Sequence, residues 1–277
     1  MQKNLKRCAV INDLSGFGRC SLTVALPILS AMGIQACPLP TAILSNHTGF
    51  ETYYFEDFTD RIARYAAQWK KLELTFDSIY TGFLGSEAQV SEILAFLEQF
   101  HKPETLLFVD PVMADHGALY PTCTPGLRER MKELVRHADI ITPNWTEACF
   151  LTGTEYPGKI PASDYGRVFA VGETLLALGP KTVVITGVKS EDNVVNFILN
   201  AQTGERFFLS RPHISCEYCG TGDVFASTLC GYLTRGMDPR EALCKTTDFV
   251  TEVIVFSHKH RIPPLEGVAF EPLLKQL

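Results

Sequence analysis

The stretch Tyr218-Cys219-Gly220-Thr221-Gly222-Asp223-Val224-Phe225-Ala226-Ser227 sets one carboxylate between two glycines and an apolar run. Val224, Phe225, Ala226, Leu229 and Leu233 recur at near-helical spacing, which predicts a buried helix from Asp223 to Arg235, ending near Gly236. An Asp at the mouth of such a helix has two readings. It can be an N-cap that accepts the orphan N–H groups of the first turn, a role worth about 1 kcal/mol. Alternatively, the glycines leave bare N–H groups aimed outward at a phosphate, with the carboxylate beside them as a base. These ten residues leave both open.

Working outward, short apolar runs alternate with helical patterns along most of the chain. Strands are predicted at 8–12, 36–44, 78–82, 105–112, 138–143 and 182–187. Helices are predicted at 21–32, 59–73, 86–100, 145–153 and 164–179, and a final one from Pro239 to about His258. Residues 193–200 and 205–210 predict a hairpin turning near Gln202-Thr203-Gly204. Pro38 and Pro40 are awkward for a central strand. No long linker, low-complexity segment or repeat interrupts the alternation. It predicts one doubly wound, three-layer α/β/α domain over 1–277, with a mostly parallel sheet. Ligands of such sheets bind beyond the carboxyl ends of the strands. Asn12-Asp13, Thr81-Gly82, Asp110, Thr142-Pro143-Asn144 and Thr186-Gly187 all fall at predicted strand ends.

Composition narrows the function classes. Twenty-five basic and 31 acidic side chains give a net charge of −6 without a basic block. That argues against a nucleic-acid or anionic-membrane surface. A nucleotide remains compatible, because backbone amides and a metal can hold phosphate. The N-terminus lacks the apolar core of an export signal, and no 18-residue apolar run occurs, so a cytoplasmic protein with reduced thiols is expected. Cys216 and Cys219 form a lone CxxC, which falls short of a zinc pattern.

Gly16-Phe17-Gly18 invites a dinucleotide fingerprint, but the third glycine position holds Ser21. Gly153 to Ile160 resembles a P-loop until Ile160, which has no hydroxyl for magnesium, and the segment follows a helix. The acids Asp110 and Asp115 flank the end of a buried strand, where an Asx turn would also explain them. Asn144 and Glu147 stand three residues apart at a helix start, as a capping box would place them. Taken together, Asp110, Asn144 and Glu147 offer the oxygen ligands that a hard Mg²⁺ ion takes, usually with several waters retained.

The chain resembles the pyridoxal kinase (vitamin B6 kinase) group of the ribokinase-like superfamily. The resemblance lies in Leu44-Ser45-Asn46-His47-Thr48-Gly49-Phe50, Gly82-Phe83-Leu84-Gly85, Asp110 to Asp115, and Thr142-Pro143-Asn144 with Glu147. It continues through Val183-Val184-Ile185-Thr186 and Gly220-Thr221-Gly222-Asp223. These motifs run in family order from residue 8 to about 250. GTGD alone marks the superfamily, whereas SNHTGF with TGFLGS favours the B6 kinases.

The resemblance implies ATP-dependent phosphorylation of a B6 vitamer at its 5′-hydroxyl, with Asp223 as catalytic base. It further implies an anion hole from Gly220, Thr221 and Gly222, and ATP contacts from Thr186, Asp115 and Asn144. Mg²⁺ would be held by Asp110, Asn144 and Glu147, directly or through water. Asp13, Ser15, His47, Thr48, Phe83 and Asp223 would bind substrate. A monovalent cation such as K⁺ and a homodimer are implied in the same way.

The first loop departs from that pattern. Asn12-Asp13 stands where many pyridoxal kinases carry Gln-Ser, and Asp13 to Gly18, DLSGFG, is similar to the DPSGGAG loop of hydroxymethylpyrimidine kinases. Hydroxymethylpyrimidine kinase is therefore the alternative enzyme. A non-catalytic pyridoxal phosphate-binding protein is the alternative of another class, although binding alone needs no base beside an anion hole.

Overall fold

The computed structural model describes residues 5–277. In chain order its elements are β1 (Arg7–Ser15), α1 (Ser21–Ala31), β2 (Gln35–Leu44), β3 (Phe55–Asp57), α2 (Thr59–Lys71), β4 (Ser78–Thr81) and α3 (Glu87–Phe100). Then follow β5 (Leu106–Val109), the small hairpin β6 (Ala114–Asp115) and β7 (Ala118–Leu119), α4 (Pro125–His137), β8 (Ile140–Ile141), α5 (Trp145–Thr152) and α6 (Tyr165–Leu176). β9 (Thr182–Ser190), β10 (Asn193–Asn200), β11 (Arg206–Pro212), α7 (Thr221–Thr234) and α8 (Pro239–Lys259) complete the order. The chain falls into two compact units, one running up to Leu106 and resuming at Ile214–Leu277, the other Leu107–His213.

In the first unit the strands lie in the order β4-β1-β2-β3. β1 is parallel to both β4 and β2, and β3 is antiparallel at the edge. Cys8, Ala9, Val10 and Ile11 are all buried, as expected of a strand covered on both faces. β2 tolerates its two prolines because β3 pairs only with Ala42–Leu44. Pro38 and Pro40 lie before that point, and β1 pairs with them from the other side. α1 packs on β1 and on α7, and α7 on α8. α8 starts on Asp238, whose carboxylate accepts the N–H groups of Arg240 (3.0 Å) and Glu241 (3.2 Å), with Pro239 in the first turn. α3 starts on Ser86, which accepts the Gln89 N–H.

In the second unit the order is β11-β10-β9-β8-β5. β5, β8 and β9 are parallel, and β9-β10-β11 form an antiparallel meander at the edge. The predicted hairpin turn is held by Asn200, whose Oδ1 accepts the N–H groups of Gln202 and Thr203. α5 and α6 cover β9, and α6 also covers β10.

Most predicted elements appear, with shifted ends. β8 keeps only Ile140–Ile141 of the predicted 138–143, and β5 stops at Val109, ahead of Asp110-Pro111. β3, the β6–β7 hairpin and α4 have no counterpart among the predicted elements. α4 carried a signal: Thr124 caps the Leu127 N–H at 3.0 Å and Pro125 follows in the first turn. Gly153, first residue of the P-loop look-alike, is the left-handed C-cap of α5 at φ 71°.

Candidate active site

The site residues fall into two clusters, one in each unit. In the first, α7 begins at Thr221 behind Gly220, which sits at φ 71°. A Cβ on Gly220 would run into the Arg19 carbonyl oxygen, so glycine is required there both for conformation and for space. A Cβ on Gly222, by contrast, would meet nothing within 4 Å, and the residue is exposed. The Thr221 hydroxyl donates back to the Tyr218 carbonyl at 2.9 Å. No side chain caps α7, so its first N–H groups and the positive end of its dipole make an anion-accepting helix start.

Asp223 lies in that first turn. Burial pushes its carboxyl up to about 7, and the neighbouring Asp13 adds to the rise. The Ser21 backbone N–H and the Asn12 side chain oppose it by favouring the charged form. Asp223 keeps partial exposure, so the carboxyl is desolvated without being sealed from a ligand. Asp13 is buried, and its Oδ2 accepts the Ser15 hydroxyl at 2.8 Å. Burial raises the Asp13 carboxyl, while hydrogen bonds from Ser21 and Ser15 hold it down. Ser21 therefore serves both carboxyls, by its backbone to Asp223 and by its side chain to Asp13. It does so at φ 51°, in the left-handed region that non-glycine residues rarely adopt.

The loop after β2 supplies His47 and Thr48. His47 Nδ1 accepts the Gly49 N–H at 3.1 Å, and Nε2 lies 2.7 Å from the Leu265 carbonyl oxygen. The ring is thus the Nε2–H tautomer with both nitrogens engaged inside the protein, leaving its faces for contact. Phe50 packs on it at 4.7 Å between ring centroids, and Phe17 packs on Phe50 at 5.6 Å. Thr48 is exposed. The glycines of Gly16-Phe17-Gly18 serve this loop: the Gly16 N–H donates to the Leu44 carbonyl, and a Cβ on Gly18 would stand 2.9 Å from His47 Nε2. Phe83 is tied at both backbone groups, its N–H donating to Asn12 Oδ1 and its carbonyl accepting from Thr41.

The second cluster is built around α5. Asn144 Oδ1 accepts the Glu147 N–H at 2.9 Å, and the Asn144 N–H donates to Glu147 Oε2 at 2.8 Å, closing the capping box. Asn144 Nδ2 also donates to the Ala114 carbonyl at 2.7 Å. Glu147 is buried and its Oε1 accepts the N–H of Met113 at 3.0 Å and, more weakly, that of Ala114. Asp110, also buried, accepts the Thr142 hydroxyl at 3.0 Å. Burial raises the Glu147 carboxyl well above the usual range, and repulsion from Asp110 adds to it. Two buried, mutually repelling carboxylates suit a divalent cation that keeps most of its waters. Among the described residues no three His, Cys, Asp or Glu side chains converge as a closed cation cage. Thr186 is half-buried, bridged to Asn144 along the strand direction, and its N–H donates to the Pro143 carbonyl. Asp115 is exposed on the β6–β7 hairpin beside His116.

Asn12 and Ser21 were not among the predicted site residues. Asn12 stood at a predicted strand end, but its role depends on Gly82: a Cβ there would stand 2.6 Å from Asn12 Cγ. Nothing in the local sequence signals the left-handed Ser21.

An uncapped helix start beside a carboxyl of raised pKa is equipment for transferring an anionic group to a substrate hydroxyl. A phosphomethylpyrimidine kinase family model matches residues 26–266. A pyridoxine/pyridoxal/pyridoxamine kinase of Bordetella avium is 30% identical over 255 residues, covering 86% of this chain and 81% of the relative. Among solved structures, a Bacteroides thetaiotaomicron protein described as a phosphomethylpyrimidine kinase, in a crystal form with pyridoxal, is 37% identical, with a TM-score of 0.93 over 99% of this chain and 96% of that one. Pyridoxal kinase from Lactobacillus plantarum is 31% identical, with a TM-score of 0.89 over 99% and 96%. The chain belongs to the phosphomethylpyrimidine kinase family and, within it, to the pyridoxal kinase group of ribokinase-like fold.

Proposed function

We infer that the chain transfers the γ-phosphoryl group of ATP to the 5′-hydroxymethyl group of a B6 vitamer: pyridoxal, pyridoxamine or pyridoxine. The observation that carries this reading is Asp223, a carboxyl raised to about 7 in the first turn of an uncapped helix. A general base works best with a pKa near the operating pH. Asp223 takes the hydroxymethyl proton as that oxygen attacks the γ-phosphorus. The bond from phosphorus to the ADP oxygen breaks, and ADP leaves. The N–H groups of Gly220, Thr221 and Gly222, aligned with the α7 dipole, receive the charge on the transferring group.

On the vitamer side, Asp13 and Ser15 provide polar contacts, Thr48 a hydroxyl, and His47 and Phe83 apolar ring surface. On the nucleotide side, Thr186, Asn144 and Asp115 approach the phosphates. Asp110 and Glu147 would hold Mg²⁺ with Asn144, through water wherever their oxygens are already engaged. When bound, the ion draws charge from the phosphate oxygens.

The reading takes residues 1–277 as one kinase domain in a cytoplasmic homodimer that uses a monovalent cation such as K⁺. Calorimetry, cell fractionation, sedimentation and exchange of K⁺ for choline test these points in turn. No helix among the described residues is long and apolar enough to cross a membrane. Hydroxymethylpyrimidine phosphorylation is the second reading, kept by the family model's description; the pyridoxal in the 37% identical structure weighs against it. Incubation with MgATP and pyridoxal should yield pyridoxal 5′-phosphate and ADP in equal amounts. ATP hydrolysis without a phosphorylated vitamer would sink the assignment.

A further inference from the structure

Asn12 is 1% exposed within β1, just before the irregularity in its pairing with β2. Its Oδ1 accepts two backbone N–H groups, from Phe83 at 2.9 Å and Asp13 at 3.0 Å. Those two donors fix the amide orientation, because a flipped side chain would set NH₂ against two N–H groups. Gly82 fixes it further, since its missing Cβ leaves the space that the amide occupies. The opposite end, Nδ2, is buried without an acceptor in hydrogen-bond geometry. An unanswered buried donor is costly, and such groups call for an explanation. The Asn12 side chain is also among the groups that favour the charged form of Asp223, and with Oδ1 engaged on the backbone, Nδ2 is the end free to do so.

We propose that Asn12 is a positioning residue for the base: its oxygen is locked on the backbone so that its buried NH₂ is offered to the Asp223 carboxylate. The Ser21 N–H holds the same carboxylate from the start of α1. A carboxylate has about four lone-pair sites. Two donors on protein-facing sites leave the others for the substrate hydroxyl, so the proton is taken at a defined oxygen. The donors also offset the adjacent Asp13, which pushes the other way. The remaining titratable groups facing Asp223 are the Cys20 and Cys219 thiols, both raised by burial and neutral at the working pH.

The inference rests on Asp223 as base, and the test separates the two. The pH profile of kcat/KM for pyridoxal is measured in wild type, Asn12→Ala, Asn12→Asp and Asp223→Asn. Asn12→Asp keeps the oxygen that Phe83 and Asp13 need but swaps the donor for a carboxyl whose own charge also raises Asp223, so a shift counts only when the neutral Asn12→Ala shows it too; a purely structural Asn12 predicts an unmoved profile in Asn12→Ala. Loss of the donor should move the acid limb upward by about one pH unit in both Asn12 variants, with an unchanged KM for MgATP. Activity at pH 7 should fall about fivefold with such a shift, approaching tenfold at lower pH. In the wild type, the Asn12 side-chain amide NMR signal should titrate along with the acid limb and stop titrating in Asp223→Asn, a readout needing no Asn12 variant. Limbs that superimpose on wild type, or an amide signal that ignores the titration, overturn the role of Asn12. Retained activity in Asp223→Asn instead overturns the base itself, whatever the Asn12 variants do.

Discussion

Gly220 and Arg19 interlock: the Arg19 carbonyl oxygen occupies the space where any side chain on Gly220 would have to begin. The contact brings the start of α7 against the start of α1, the two segments that supply Asp223 and Ser21. Gly220→Ala must therefore shift one of two helix starts as well as hold a left-handed φ. It should lose well over 1 kcal/mol of stability together with activity. Gly222→Ala meets open space and should melt close to wild type while raising KM for MgATP or lowering kcat, because the methyl stands at the anion site. Equal loss of melting temperature in the two variants would refute the distinction.

Asp223→Asn should lower kcat by about 10²–10⁴-fold, the usual contribution of a general base, while MgATP still binds. Its stability should depend on pH with a definite sign. The folded state raises this carboxyl from 3.8 to about 7, so between those values the folded protein binds the proton more tightly than the unfolded chain. The stability from this group is complete below about pH 4, is lost as pH rises toward 7, and stays level above. Removing the ionisation should make Asp223→Asn more stable than wild type at pH 8, by about 1–2 kcal/mol. The linkage ceiling is higher, at about 1.4 kcal/mol for each pH unit between the unfolded and folded titration points. The gain should vanish near pH 4, which denaturant melts at both pH values would check.

Glu147→Gln replaces an acceptor-only carboxylate with an amide whose NH₂ must face backbone N–H groups of Met113, Ala114 or Asn144. The variant should lose about 1–3 kcal/mol of stability and need more Mg²⁺ for half-maximal activity. A lower melting temperature with an unchanged Mg²⁺ titration would reduce Asn144 and Glu147 to their capping box.

Asp13→Ser tests the departure in the first loop. An ionised Asp only accepts hydrogen bonds, so it favours a protonated pyridine nitrogen or a ligand amine, whereas Ser can donate or accept. The variant should change KM and the ranking of pyridoxal, pyridoxine and pyridoxamine while keeping its dependence on ATP and Mg²⁺. Identical rankings and pH profiles would leave Asp13 as the acceptor of Ser15 and Ser21 alone.

The fold was legible because its signals are local. Apolar runs predicted β1, β4 and β9, and periodicity predicted α1, α3, α7 and α8, with the Ser86 cap marking the start of α3 and glycines the ends of α1 and α7. α4 was missed although Thr124-Pro125 announced it, and two-residue strands such as β6 and β7 are too short to carry a period. Asp223 stood out as a candidate beside its two glycines, which left cap and base both open, and its reading as base came from the resemblance; the Asn144–Glu147 box was legible from its spacing. Asn12 and Ser21 were not, because one depends on the space left by Gly82 and the other on a backbone conformation set by tertiary packing. His47 was legible as a motif residue, but its bond to Leu265, 218 positions away, was not.

The most direct test of the account is one competition experiment. Pyridoxal, pyridoxine, pyridoxamine and hydroxymethylpyrimidine are mixed with MgATP and the protein, and the products are followed by mass spectrometry. The account predicts phosphoryl transfer to the 5′-hydroxyl of at least one B6 vitamer ahead of hydroxymethylpyrimidine, and its loss in Asp223→Asn. Phosphorylation of hydroxymethylpyrimidine with the vitamers untouched, or vitamer phosphorylation undiminished in Asp223→Asn, would contradict it.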